Sequence, residues 1–483
     1  MRKLLNIAVM VFAVFTFWDV KAVDSISFDS NVKGTIDPDS YLITTVGSID
    51  IEVDNIGSDT FSIYKVLNAF YNPTTNVITY EFTSNFKDFL TSTTAYKNLT
   101  IDDYYNLTSG DITSGSTQTN STLDKLASAY AVYIRKNSIA SDGILDVAVS
   151  AENGAYLILP NATTKIYAVM IANIVYKPGA NNEWFLSNPV IVPKVTDVSI
   201  AKAIDSPNIL EKLYGFNDIF SYYLTTTFPR YPTNATNMVY TITDTMDVGL
   251  SFIGLNDITI TAGETLTNTN GTFKDSSGNT VATATIAGQK LTIVFDSNYV
   301  YSTSIIVLYK AKLNENAVLG GNGNLNRATL TYSNDPYGTS TTTELCSTSV
   351  FTHGVKVKVI DKDESSFIPG FVFDVYDNIS DTKIGTITTG EDGIGILKGT
   401  GAYDYKIVNV KAASGYDLID YSTTTINMDD TYASFDIYIS KSPSLPFTGG
   451  IGTIIYTVIG LIVIVGSVAL FYVYRKRQDR ELS

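Results

Sequence analysis

The sequence predicts an all-β protein: tandem β-sandwich domains of immunoglobulin-like character, with one small helical insertion in the first. Three observations carry this. Thr, Val, Ile and Tyr alternate with polar residues in short runs along most of the 483 residues, the period-two signature of half-buried strands. Turn formers such as Asn270-Gly271, Ser277-Gly278-Asn279 and Asp392-Gly393 break those runs. The chain is also longer than a single hydrophobic core normally grows, so several domains are expected.

Composition narrows the function. The formal net charge is −15 and only 17% of residues are charged, which argues against a nucleic-acid partner, whose phosphates want Lys and Arg. The single cysteine, Cys346, excludes an internal disulfide framework and a Cys-rich zinc site. The single histidine, His353, excludes a cluster of His ligands. No Ser–His–Asp or Cys–His arrangement stands out, so the chain does not read as an enzyme, and no cofactor or metal loop is implied.

The elements follow in order. Arg2 and Lys3, an apolar stretch over 4–17 and Val20-Lys21-Ala22 make residues 1–22 a secretory signal peptide, cleaved after Ala22. Residues 23–193 form the first domain. Within it, residues 121–137 place Leu123, Leu126, Ala127 and Tyr130 at helical spacing, with Ser121 as N-cap. Residues 195–350 form a middle sandwich and 351–441 a third. Cys346 and His353 fall near that second boundary, where a small edge residue and a linker residue are expected. Residues 451–474 are apolar and long enough to span a bilayer, and Arg475, Lys476, Arg477 and Arg480 should keep the tail cytoplasmic.

Strand parity singles out three residues in the middle sandwich. Side chains alternate faces along a strand. Lys202 shares a face with Val198, Ile200 and Ile204; Asp244 with Tyr240, Ile242 and Met246; Asn326 with Ala328, Leu330 and Tyr332. Each polar residue thus sits on an apolar, core-facing side. Unpaired burial costs several kcal/mol, so the three need a common explanation. Asn324 has the parity of Asn326, and Asp247 lies close to Asp244, so both stay open as alternatives.

Just before the apolar span stands Leu445-Pro446-Phe447-Thr448-Gly449, which resembles the LPxTG sorting signal of Gram-positive bacteria. The resemblance implies that the chain is exported and held in the membrane while a sortase cysteine attacks the Thr448 carbonyl and Gly449 leaves. The mature product would be residues 23–448, with 26 basic side chains against 45 acidic, a net charge of −19. More broadly, YTITDTMDVGL (240–250), NGNLNRATLTYSNDP (322–336), THGVKVKVIDKDESSFIPGFVFDVY (352–376) and KAASGY (411–416) resemble sortase-assembled backbone pilins. The first two resemble the isopeptide-forming middle domain and the last two the collagen-adhesin B-type C-terminal domain.

That resemblance implies a structural shaft subunit of a covalently polymerised, wall-anchored pilus. Its partners would be a pilus-class sortase, other copies of itself, peptidoglycan through a housekeeping sortase, and tip and base pilins. The alternative is a wall-anchored adhesin or minor pilin that does not polymerise. The resemblance implies that Lys194, in WFLSNPVIVPK, accepts Thr448 of the next subunit, with Lys177 in Tyr176-Lys177-Pro178 as its rival. The resemblance also implies a Lys202–Asn326 isopeptide bond, promoted by Asp244 as a buried acid, with loss of ammonia. In the third domain the positions that align with the family lysine, acid and asparagine hold Val359, Asn409 and Ser440, so no isopeptide bond is expected there. Lys356 and Lys358 fall on the opposite face from Val355, Val357 and Val359.

Overall fold

A computed structural model of the chain describes residues 42–52, 56–72, 77–110, 122–161, 163–178, 184–186, 188–193, 195–229, 231, 235–297, 299, 304–443 and 452–481. The signal segment, Lys194 and the Leu445–Gly449 pentapeptide lie outside the described residues. The chain divides into two compact units, Met1–Thr352 and His353–Ser483.

The first unit opens with a sheet in the order Val77–Phe82, Phe61–Asn72, Gly154–Pro160, Met170–Ile174, to which Gly143–Leu145 adds by pairing with Phe61–Asn72. Alternate residues of its strands feed two different cores. Phe61, Ile63, Tyr156 and Ile158 pack with Ile49 and Ile51 of a three-stranded sheet made by Val190–Ile191, Val46–Ile51 and Ala148–Glu152. Tyr64, Val66, Leu157 and Leu159 pack instead against helices. Among the described residues there are three helices where one was expected: Ser84–Ser92, Ile101–Gly110 and Thr122–Asn137. The last matches the predicted insertion and buries Leu123, Leu126, Ala127 and Tyr130. The first is held by Phe86, Phe89 and Leu90, an i, i+3, i+4 triplet too short to stand out among flanking Ser and Thr.

The middle sandwich faces two sheets across one core. One runs Ile200–Ile204, Ile219–Thr227, Ser304–Leu313, Leu250–Phe252. The other has eight strands, in the order Glu211–Leu213, Thr341–Phe351, Asn324–Ser333, Tyr240–Met246, Lys290–Phe295, Thr280–Ala287, Thr272–Lys274, Thr267–Thr269. Ile204, Leu224, Ile242, Leu291, Val307 and Leu330 fill the space between them. Cys346 lies partly buried on the second of these strands, against the core edge.

The seam near residue 194 is continuous packing. Val195–Thr196 pairs back onto Ile166–Tyr167. The Tyr332 hydroxyl donates to Thr164 O at 2.5 Å. Arg135, on the third helix, pairs with Asp335 at 2.7 Å, and Tyr337 is buried within the helix-layer core.

The second unit also packs two sheets: Ile394–Thr400, His353–Asp361, Tyr432–Ile439, and Thr382–Thr388, Val372–Asp377, Asp404–Lys411, Ser422–Thr425. His353–Asp361 and Tyr432–Ile439 run parallel. His353 is not a linker residue. It is fully buried, with its ring nitrogens 3.0 Å from Met428 O and 3.4 Å from Ala402 O, because it begins a central strand. A helix spans Gly452–Glu481, and Thr453–Gln478 is long and apolar enough to cross a membrane.

Candidate functional site: a buried lysine, aspartate and asparagine

Lys202, Asp244 and Asn326 converge in the core of the middle sandwich, at 4%, 0% and 0% exposure. Lys202 comes from Ile200–Ile204 in one sheet. Asp244 and Asn326 come from neighbouring antiparallel strands of the other, where Met246 pairs with Asn326 and Asp244 with Ala328. The Lys202 ammonium donates to Asp244 Oδ2 and, at 2.6 Å, to the Tyr309 hydroxyl. Tyr309 donates to Asp244 Oδ2 at 2.8 Å and accepts from Asn326 Nδ2 at 2.9 Å. The Lys202 nitrogen also lies 4.6 Å from the centroid of the Tyr222 ring.

Burial pushes the Lys202 pKa below the usual lysine range, against the opposing pull of Asp244 and of the more distant Cys346. Burial, with the Asp244 charge behind it, holds Tyr222 and Tyr309 protonated far above the ordinary tyrosine range. Several atoms remain unpaired: Asn326 Oδ1, Asp244 Oδ1, the Tyr222 hydroxyl and Thr348 Oγ1 make no hydrogen bond of ordinary geometry, although Tyr222 faces Asn326 and Thr348. A buried carbonyl without a donor is costly, which makes the Asn326 carboxamide an unusual group to leave in a core.

The neighbouring candidates are placed differently. Asn324 is also buried, but Val318 N–H donates to its oxygen and its nitrogen donates to Val318 O and Val350 O. Asp247 pairs at the surface with Arg327 at 3.2 Å and accepts from Leu325 N–H. Tyr309 and Tyr222 were missed by sequence reasoning. Their inward parity was available, but tyrosine is common in this chain, and nothing local marks which hydroxyls meet the lysine.

In the second unit Val359 is fully buried among Val355, Val357 and Phe371. Asn409 is buried with its amide fully used: its nitrogen donates to Val372 O and Lys411 O, and its oxygen accepts from Ile419 N–H. Ser440 is exposed. Lys356 and Lys358 are half-buried, Lys358 lying 5.0 Å over the Phe367 ring. Lys177 sits on Tyr176–Pro178, in register with Phe185. Among the described residues, no group of three or more His, Cys, Asp or Glu side chains is arranged to hold a metal.

Residues 353–441 match the family described as a prealbumin-like fold domain, and residues 440–480 match the LPXTG cell wall anchor motif. The fold and the anchor, followed by the apolar helix, define a cell-wall-anchored surface protein of the Gram-positive type, with the β-sandwich architecture of pilins. The particular likeness is to T6. The chain is 30% identical over 249 residues to the trypsin-resistant surface T6 protein of Streptococcus pyogenes serotype M6. That match covers 48% of this chain and 44% of the relative, so the chain spans less than half the length of that curated protein. Its fold is similar to that of the T6 backbone pilin, which has a modular three-domain structure decorated with variable loops and extensions. The TM-score is 0.63 at 21% identity, over 79% of this chain and 80% of that one.

Proposed function

We propose that the chain is the shaft subunit of a covalently polymerised surface pilus. A pilus-class sortase would cleave after Thr448 and pass its acyl group to Lys194 of the next copy. A housekeeping sortase would join the finished polymer to peptidoglycan, with tip and base pilins as further partners. The observation that carries this is the likeness to a backbone pilin over about four-fifths of both chains, in a sequence that also bears the anchor motif. The test is a detergent-resistant ladder from the cell wall. It should persist in Lys177→Ala and collapse to a single wall-linked band in Lys194→Ala. A single band from the parent would instead mark a non-polymerising adhesin or minor pilin.

The subunit is read as three domains, with residues 23–193 and 195–350 meeting at the packed seam. In the middle domain Lys202 and Asn326 would form an isopeptide bond, with Asp244 as the promoting acid. The unpaired Asn326 carbonyl in the same pocket as a lysine inclined to lose its proton supports this. The saturated hydrogen bonding of Asn324 favours Asn326 as the partner. In the third domain, the apolar Val359 and the fully bonded Asn409 support the absence of such a bond. Intact mass of the folded chain should be short by one ammonia, and Asn326→Ala should restore the full mass. An unshortened parent would end this reading.

A further inference from the structure

We propose that Tyr309 is a catalytic residue of this bond-forming step, carrying a proton from Asp244 to the departing nitrogen of Asn326. The proposal rests on the Lys202–Asn326 crosslink reading above.

The chemistry sets the requirement. When the Lys202 amine attacks Cγ of Asn326, a C–N bond forms and the Cγ–Nδ2 bond must break. An amide nitrogen leaves as ammonia only after gaining a proton, while the attacking nitrogen must lose one. Those two atoms need a path between them inside a core that excludes water. Asp244 alone does not provide it. Its Oδ2 is engaged by Lys202 and Tyr309, and its Oδ1 has no partner. The departing Asn326 nitrogen has Tyr309 as its hydrogen-bond partner. One hydroxyl thus stands 2.6 Å from the attacking nitrogen, 2.8 Å from the acid and 2.9 Å from the leaving nitrogen.

The protons balance. Transfer across the Lys202–Asp244 hydrogen bond gives a neutral amine and a protonated carboxyl. Attack on Cγ produces an ammonium-like Nζ and an oxyanion on the former Oδ1. Tyr309 gives its proton to Nδ2 as it takes the one on Asp244 Oδ2. Asp244, now a carboxylate, takes the surplus proton from Nζ. The carbonyl re-forms and ammonia leaves. Tyr309 ends as it began; Asp244 ends holding the one proton that the Lys202 ammonium brought, which the departing ammonia can carry off as ammonium, and no outside reactant is consumed. Tyr309 is well held for this role: it stands on Ser304–Leu313 directly across from Tyr222, in a wholly buried setting that keeps its hydroxyl protonated between transfers.

The test follows newly made full-length chain in cell-free translation, quenched at intervals in denaturing acid and read by intact mass. Tyr309→Phe removes one oxygen and keeps the ring. Ammonia loss should slow on the order of a hundredfold, the usual worth of a positioned proton carrier, while the chain still folds by circular dichroism. Tyr240→Phe is the matched control, an equally buried ring of the same core whose hydroxyl bonds to Thr226 and Thr227 O instead of the reacting groups; it should crosslink at the parent rate. Tyr309→Phe at the parent rate would overturn the proposal and leave the crosslink standing. Equal slowing in both variants would overturn it too, by showing that only core packing matters. A parent chain that loses no ammonia would remove the crosslink reading itself. If Tyr309→Phe fails to fold, 3-fluorotyrosine at position 309 keeps the shape and shifts the hydroxyl acidity. A changed rate is then expected, and an unchanged one would sink the role.

Discussion

Removing the proposed crosslink is the sharpest perturbation available, and its size can be worked out beforehand. Asn326→Ala deletes the acyl partner while leaving Lys202 on Asp244 and Tyr309. The crosslink would close a loop of roughly 125 residues, and its loss returns that freedom to the unfolded chain, a cost of about 5 kcal/mol in the loop-entropy account. For a domain of this size that corresponds to a fall in Tm of about 10–20 °C. The substitution also removes the unpaired Asn326 oxygen, a small relief in the opposite direction. The assay pairs intact mass with calorimetry of the secreted chain. Asn324→Ala serves as the control, since it breaks three hydrogen bonds to the backbone but should leave the ammonia deficit in place. If Asn326→Ala matches the parent in both mass and Tm, the reasoning from buried geometry to covalent bond is refuted.

Two further outcomes follow from contacts away from that site. Tyr337→Ala empties a position in the helix-layer core and should cost about 3 kcal/mol or more. Hydrogen exchange should then show Thr122–Asn137 losing protection, and unchanged protection there would contradict the packing. In the second unit, the Tyr416 hydroxyl donates to Asp361 at 2.6 Å and, with the N–H groups of Asp363 and Glu364, holds the Asp361 carboxyl below the usual carboxylate range. The same bond pushes the Tyr416 pKa up to about 12. A depressed carboxylate contributes stability above its unfolded pKa and loses it as pH falls through the folded one. Tyr416→Phe should therefore lower Tm at neutral pH, with the gap to the parent narrowing below about pH 4. A gap that stays constant with pH would remove Asp361 from the account.

How much of this was legible in the sequence depended on whether the signal was local. Lys202, Asp244 and Asn326 each stand two residues from apolar neighbours on a strand, so parity alone put them in the core, where the structure also places them. Parity has no reach across strands. It left Asn324 level with Asn326, and only the backbone bonds around Val318 separate them. The hydroxyl of Tyr309 was invisible for the same reason, since it meets Lys202 across an intervening strand of its own sheet and Asn326 only once two sheets face each other. His353 misled because it falls beside a domain boundary, yet it begins a strand and is buried there. Tyr337 sits in a turn, where sequence rules expect exposure, and its burial depends on a helix about 200 residues away in the chain.

The two units would resist tension in different ways, and the reason lies in where their terminal strands run. Load passing along the middle domain enters beside Ile200–Ile204 and leaves through Thr341–Phe351. With Lys202 bonded to Asn326 it bypasses everything between them, and about 400 Å of extended chain is kept out of the path. In the second unit, where Val359 and Asn409 stand at the positions of the lysine and the acid, no such bond is expected. Its first and last strands, His353–Asp361 and Tyr432–Ile439, lie side by side and parallel, in register from Gly354–Tyr432 to Asp361–Ile439. Pulling the start of one against the end of the other loads that ladder along its length, so its hydrogen bonds share the force instead of opening one at a time. Forced unfolding follows the unfolding barrier. Single-molecule pulling on the secreted chain should therefore show a high-force event for the second unit and no release of the 202–326 loop. In Asn326→Ala that loop should appear as new contour length at lower force. A parent trace that releases it would mean that no covalent link spans the middle core.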